Sequence, residues 1–116
     1  MANVQNDPPF SEPLTKGEKR RKELDNSFRA ICNNVYFEPD LNSKMKYPCI
    51  TYERTGGEST FSNNRPYSFD YSYKVTVISK DPDERLVEKL ASTHEYCTLS
   101  RTYKADGLYH NVFTVY

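Results

Sequence analysis

The chain has no tryptophan, only four glycines and three cysteines, and no excess charge of either sign. Sixteen Lys and Arg cancel sixteen Asp and Glu. That balance excludes a strongly basic nucleic-acid binder held by overall charge. Leu, Ile, Val and Phe together make up about a fifth of the 116 residues, near the composition at which folded chains give way to disordered ones. No apolar run approaches the roughly 20 residues of a membrane span. The opening "MANVQNDPPFSEP" has no basic-then-apolar leader pattern, so secretion by that route is not expected. Cys32, Cys49 and Cys97 are odd in number, widely spaced and without a CxxC pair, and His94 and His110 do not complete a metal-ligand spacing. Free thiols in a reducing cytoplasm are the expectation.

What the sequence does have is tyrosine, ten of them. With aliphatics so few, tyrosine is expected to carry much of the packing. The length suits one domain with a modest core. Residues 1–14, with Pro8, Pro9 and Pro13, read as an extended arm. Residues 15–116 read as a single α+β domain.

"TKGE" is a capping box with Thr15 as N-cap and Glu18 reaching back. Leu24, Phe28, Ile31 and Val35 follow at helical spacing. The basic run Lys19, Arg20, Arg21, Lys22 precedes this stripe, so the helix start is expected to project from the body. Its surface is a candidate contact for an acidic partner or for DNA.

A short extended piece is expected at Val35 to Glu38, then a strand at "YPCITYER". "TGGESTFSNNRP" reads as a twelve-residue connection rich in Gly, Ser and Asn, and loops of that length tend to carry contacts. In "SFDYSYKVTVIS", Phe69, Tyr71, Tyr73, Val75 and Val77 alternate with polar residues. This is a half-buried strand. The same tyrosines are weighed as a stacking platform for single-stranded nucleic acid, with core packing favoured because the face continues into Val75 and Val77. A second helix carries Leu86, Val87, Leu90 and Ala91. Strands "YCTLSRTY" and "LYHNVFTVY" close the chain around the hairpin signal Asp106-Gly107. The fold expected is a four-stranded, mainly antiparallel sheet covered by two helices.

The acids at "KDPDE" raise the question of chemistry. Pro82 suits the first helical position, Asp81 the N-cap and Glu84 the reciprocal capping position. Helix initiation accounts for all three acids, Asp83 included. A metal-dependent hydrolase built on Asp81, Asp83 and His110 is the rival reading. The residues present no catalytic, metal or cofactor constellation, and none is expected.

The ordered motifs, taken together, resemble the tail-completion, or tail-terminator, proteins of tailed bacteriophages. The matching residues are Tyr47, Pro48, Ile50, Tyr52 and Glu53, then Asn64, Pro66 and Tyr67, then Val75 to Ile78 with Asp81, Pro82 and Asp83. The closing set is Tyr103, Ala105, Asp106, Leu108, His110, Val112, Phe113, Thr114 and Tyr116. The resemblance covers about residues 24–116. It implies a non-enzymatic virion protein of the tail–neck region, assembled in the host cytoplasm. It implies a homo-hexameric ring that stops the tail tube at its head-proximal end and meets the head connector or stopper protein, with DNA passing through its lumen. No membrane and no cofactor is involved. Candidate contacts are then Pro8, Pro9 and Phe10 of the arm and Phe61, Asn63, Asn64 and Arg65 of the long connection. The alternatives are another connector component, adaptor or stopper, and a small nucleic-acid-binding module using the Tyr71/Tyr73 face.

Overall fold

The computed structural model describes residues 13–40, 43–62, 65–82, 84–94 and 96–116, with backbone alone for 57–70. The chain order is α1 (Lys16–Ile31), β1 (Val35–Phe37), β2 (Cys49–Ser62), β3 (Arg65–Ser79), α2 (Glu84–Thr93), β4 (Cys97–Ala105) and β5 (Leu108–Val115). The strands form one mixed sheet in the order β1-β2-β3-β5-β4. The class is α+β, as expected, with five strands instead of four. The fifth, β1, is three residues long and parallel to β2. Three residues are too few to show a period.

The capping box forms as read: Glu18 N–H donates to Thr15 Oγ1 at 3.0 Å, and Thr15 N–H donates to Glu18 Oε1 at 2.8 Å. Leu24 and Phe28 are buried and Ile31 packs against the core. Val35 does not continue the helical stripe. The helix ends at Ile31, and Val35 enters β1 opposite Ile50. The stripe of α2 is likewise narrower than read, since Leu86 and Leu90 are buried but Ala91 is exposed.

Directly paired residues share a sheet face, so the register sorts the side chains. Val35, Ile50, Tyr52, Tyr73, Val75, Val77, Phe113 and Val115 are buried with Leu24, Phe28, Leu86 and Leu90 of the helices. Aromatic rings link this core. Tyr52 meets Phe28 edge-on at 5.2 Å, Phe37 at 5.0 Å and Tyr73 at 6.2 Å between centroids. Tyrosine therefore supplies packing that a richer aliphatic core would supply elsewhere. Cys49, Thr76, Ile78 and Val112 are buried on the opposite face. Tyr36 shares that face by alternation with Val35 and Phe37, and its hydroxyl accepts from Lys46 N–H at 3.1 Å. The segment returning from β1 to β2 is thus held there.

Two corrections concern connections. The stretch 55–66 is not a loop. Pairing runs from Gly56–Ser72 out to Ser62–Arg65, with irregularities at Arg54/Gly56 and Thr60/Phe61. Among the described residues no third strand pairs with the outer part of this hairpin, and its sequence shows no alternation, so the period-two signal failed. The second correction is at "KDPDE". Helix α2 begins at Glu84, two residues later than read, so Asp81 is not its N-cap and Pro82 is not its first residue. Residue 83, whose carboxylate was read as part of the first turn, lies outside the described residues. The bend is fixed instead by buried Ser79, whose hydroxyl donates to Asp81 O at 2.6 Å. The Asp106-Gly107 hairpin forms as read. Both residues have positive φ (53° and 75°), as a type I′ turn needs.

Candidate interaction surfaces

The basic start of α1 does not project. A Cβ on Gly17 would stand 2.7 Å from the Tyr71 ring, so the first turn lies directly on β3. Arg20 donates to Tyr116 O at 2.7 Å. The Arg21 guanidinium sits 4.7 Å over the Phe37 ring, with that of Arg54 at 5.5 Å. Arg54 is in turn held by Glu38 through Nε at 2.8 Å and Nη2 at 2.9 Å. The run thus divides. Arg20 and Arg21 turn to the body, while Lys19 and Lys22 stay exposed. Gly17 opposite Tyr71 was missed by sequence reasoning, since nothing local marks a glycine whose role is contact with a distant strand.

The Tyr71–Tyr73 pair is not a stacking platform. Tyr73 is 1% exposed, and half-buried Tyr71 packs against the core. The buried Tyr73 ring offers no face to the bases of a single strand, so the two tyrosines cannot stack successive bases.

Strand β4 is an edge of the sheet, and its outer side meets no other strand among the described residues. Among the described side chains, four exposed large hydrophobics lie along or beside it: Tyr96 (63% exposed), Leu99 (46%), Tyr103 (41%) and Tyr116 (58%). Tyr116 N–H donates to Tyr96 O at 3.0 Å, which holds those two together at one end of the edge. On the other side, Tyr103 stacks flat on His110 at 4.7 Å, and Arg101 stands 5.0 Å over the Tyr103 ring. An open groove of about 600 Å³ lies between α2 and this hairpin, lined in part by Val87, Leu99, Lys104 and Tyr109. Sequence reasoning placed the strand but not its exposure, because "CTLSRTY" does not say which of its neighbours is missing.

The outer β2–β3 hairpin is the second stretch without a further strand partner among the described residues. β1 covers β2 only at Ile50–Tyr52, and β5 covers β3 only at Tyr73–Ser79. Beyond that it is a two-stranded ribbon reaching roughly 20 Å past the sheet. Phe61 and Arg65 stand on it, Phe61 paired with Pro66 and Arg65 with Ser62 near its tip. Asn63, Asn64, Pro8, Pro9 and Phe10 lie outside the described residues.

The titratable groups are engaged in packing. His94 Nε2 lies 3.0 Å from Ser27 Oγ, and its ring meets Phe28 edge-on at 5.4 Å. Burial, with the charge of Arg20, holds the imidazole below its ordinary pKa. Ser27 donates back to Leu24 O at 2.9 Å, so its hydroxyl is turned to its own helix. His110 Nδ1 lies 3.1 Å from Leu108 O. All three cysteines are free thiols, and burial raises the pKa of Cys49 to about 12. Among the described residues, no three His, Cys, Asp or Glu side chains stand close enough to share a metal ion. No described helix is long and apolar enough to cross a membrane.

No protein-family model matches the sequence, and no curated protein matches it.

Proposed function

We propose that this chain is a non-enzymatic structural subunit. In this reading it assembles as a homo-hexameric ring at the head-proximal end of a phage tail tube and joins the tube to the head connector. The observation that carries the reading is the ordered motif series of the sequence. Its pieces fall at joints of the fold. Tyr47-Pro48 precedes β2, Asp81-Pro82 follows β3, and Asp106-Gly107 turns β4 into β5. The open β4 edge and the projecting ribbon support it, since a ring subunit needs a lateral surface on each side. Exposed Lys19 and Lys22 are the side chains of the basic run left to meet DNA or an acidic connector surface.

Electron microscopy of particles carrying a labelled copy tests this. The expected image is a ring between connector and tube, and particles lacking the protein should carry tubes of uncontrolled length. Label along the whole tube, or inside the head connector, would overturn the terminator reading. The second of those images would favour an adaptor or stopper.

A further inference from the structure

We propose that the β2–β3 ribbon of one copy docks along the outer edge of β4 in a second copy, adding backbone pairing to apolar contact with Tyr96, Leu99 and Tyr103. The ring reading supplies its biological setting, on which it rests, while its geometry stands on the chain itself.

The outer ribbon has no third strand among the described residues. A two-stranded hairpin in water is marginal at best and gains stability from a third strand or an apolar surface. Past Gly57–Tyr71, where α1 still covers the Tyr71 ring, no third strand pairs with this ribbon among the described residues. A bulge at Thr55, followed by Gly56 at φ 153°, lies at its root and re-aims it.

The outer side of β4 has no neighbouring strand among the described residues. An edge strand presents unpaired N–H and C=O groups, a template for strand addition. Here that template is nine residues long. Apolar side chains flank it on both sheet faces, as strand-addition sites require for selectivity. By register Leu99 shares the face of Phe113, and Tyr103 the face opposite.

The two needs match but cannot meet within one chain. β5 lies between β3 and β4, so a ribbon cannot reach the edge of its own sheet. The uncovered part of β3, Arg65–Ser72, is close in length to β4. The charges also complement one another. β4 carries Arg101 and Lys104, and the ribbon carries Glu58 and Asp70 against the single Arg65. Lys104 and the bulge at Ser100 discourage pairing with an unselected strand. Because the two surfaces differ, the contact is head-to-tail and propagates until it closes.

Two variants test this. In the first, residues 58–70 are replaced by Asn-Gly, leaving a two-residue turn. In the second, Leu99→Glu, Arg101→Glu and Lys104→Glu alter exposed side chains of the edge. Sedimentation of the wild type up to millimolar concentration should show self-association. Each variant alone should remain monomeric, with at least tenfold weaker association. Mixed, they should form a 1:1 dimer and nothing larger, since one retains a ribbon and the other an edge. A monomeric wild type, a ribbon-shortened variant that still associates, or a mixture that does not pair would each overturn the proposal.

Near-UV circular dichroism checks that both variants fold. If either does not, Glu58→Lys/Asp70→Lys mixed with Arg101→Glu/Lys104→Glu replaces the pair. Association regained in that mixture supports the docking, and failure to regain it overturns it. Head-to-tail dimers combined with a label elsewhere in the particle would sink the terminator reading alone. A correctly placed ring whose subunits do not use the ribbon would sink the docking alone.

Discussion

The Tyr52 hydroxyl, almost wholly buried, donates a hydrogen bond to the Asp25 carboxylate, which also receives the Arg29 guanidinium. This contact ties β2 to α1 across the core. Burial works to raise the pKa of Asp25, but the hydrogen bonds from Tyr52 and Arg29 outweigh it and hold the carboxyl below its ordinary value. Burial first, and then the Asp25 charge, push the Tyr52 hydroxyl well above its own.

Tyr52→Phe should therefore cost about 1–2 kcal/mol at pH 7, measured by urea unfolding. The pH dependence has two sides. A lowered carboxyl adds stability that is present above about pH 4 and lost as pH falls through its folded value. A raised phenol adds stability that is present below about pH 10 and lost as pH rises through its folded value. Tyr52→Phe should weaken the first effect and abolish the second. An unchanged midpoint across the whole range would show the contact to be energetically idle.

At the joint after β3, Ser79→Ala should cost about 1 kcal/mol, since it removes a buried hydroxyl that donates to Asp81 O. Asp81→Ala should stay within about 0.5 kcal/mol, because Asp81 is exposed and two residues too early to cap α2. Urea unfolding of both variants checks the assignment. A loss at Asp81 larger than at Ser79 would restore Asp81 as the capping residue.

That joint also shows how far the sequence was legible. Elements whose local chemistry suffices were readable: the Thr15–Glu18 box, the Asp106-Gly107 turn, and the alternation from Tyr73 to Val77 that faces the helices. The start of α2 was misplaced by two residues because "DPDE" carries capping chemistry at Asp81, while the path of the chain leaving β3 carries the helix start on to Glu84. The ribbon was missed because 55–66 shows no apolar alternation, and among the described residues no third strand pairs with its outer part. β1 was only a hint because parallel pairing over three residues leaves no period. The candidate surface on β4 was hidden for a related reason. Exposure of Leu99 and Tyr103 follows from strand order, and strand order is a property of the whole sheet.

His94 joins the two helices, touching Ser27 and Phe28 of α1. Its pKa is lowered, by burial first and then by the charge of Arg20. The unfolded chain therefore binds a proton more readily than the folded one. The stability is complete above about pH 6.5, the ordinary value of the group, and declines as pH falls toward the folded value. His94→Gln should flatten unfolding free energy between about pH 5 and pH 7. Proton titration by NMR should place the folded His94 below His94 in the unfolded chain. A steeper slope in the variant, or a folded value above the unfolded one, would contradict the geometry.

Cys49 gives a probe of the whole sheet. It pairs with Ile78 at the start of β2, is fully buried, and has its thiol pushed up to about 12 by burial, with a smaller contribution from Cys32. At pH 8 only about one buried Cys49 thiol in ten thousand would be the reactive thiolate, and opening of the site removes that protection. Cys97 is only half-buried, although burial raises its thiol as well. Maleimide labelling of the native protein, read by mass spectrometry, should therefore modify Cys97 first. Cys49 should react only through global opening, so its rate should rise with urea in step with the unfolding equilibrium. Modification of Cys49 as fast as Cys97 in native buffer would mean that the start of β2 opens on its own. It would then fail to anchor the ribbon that continues from the same strand.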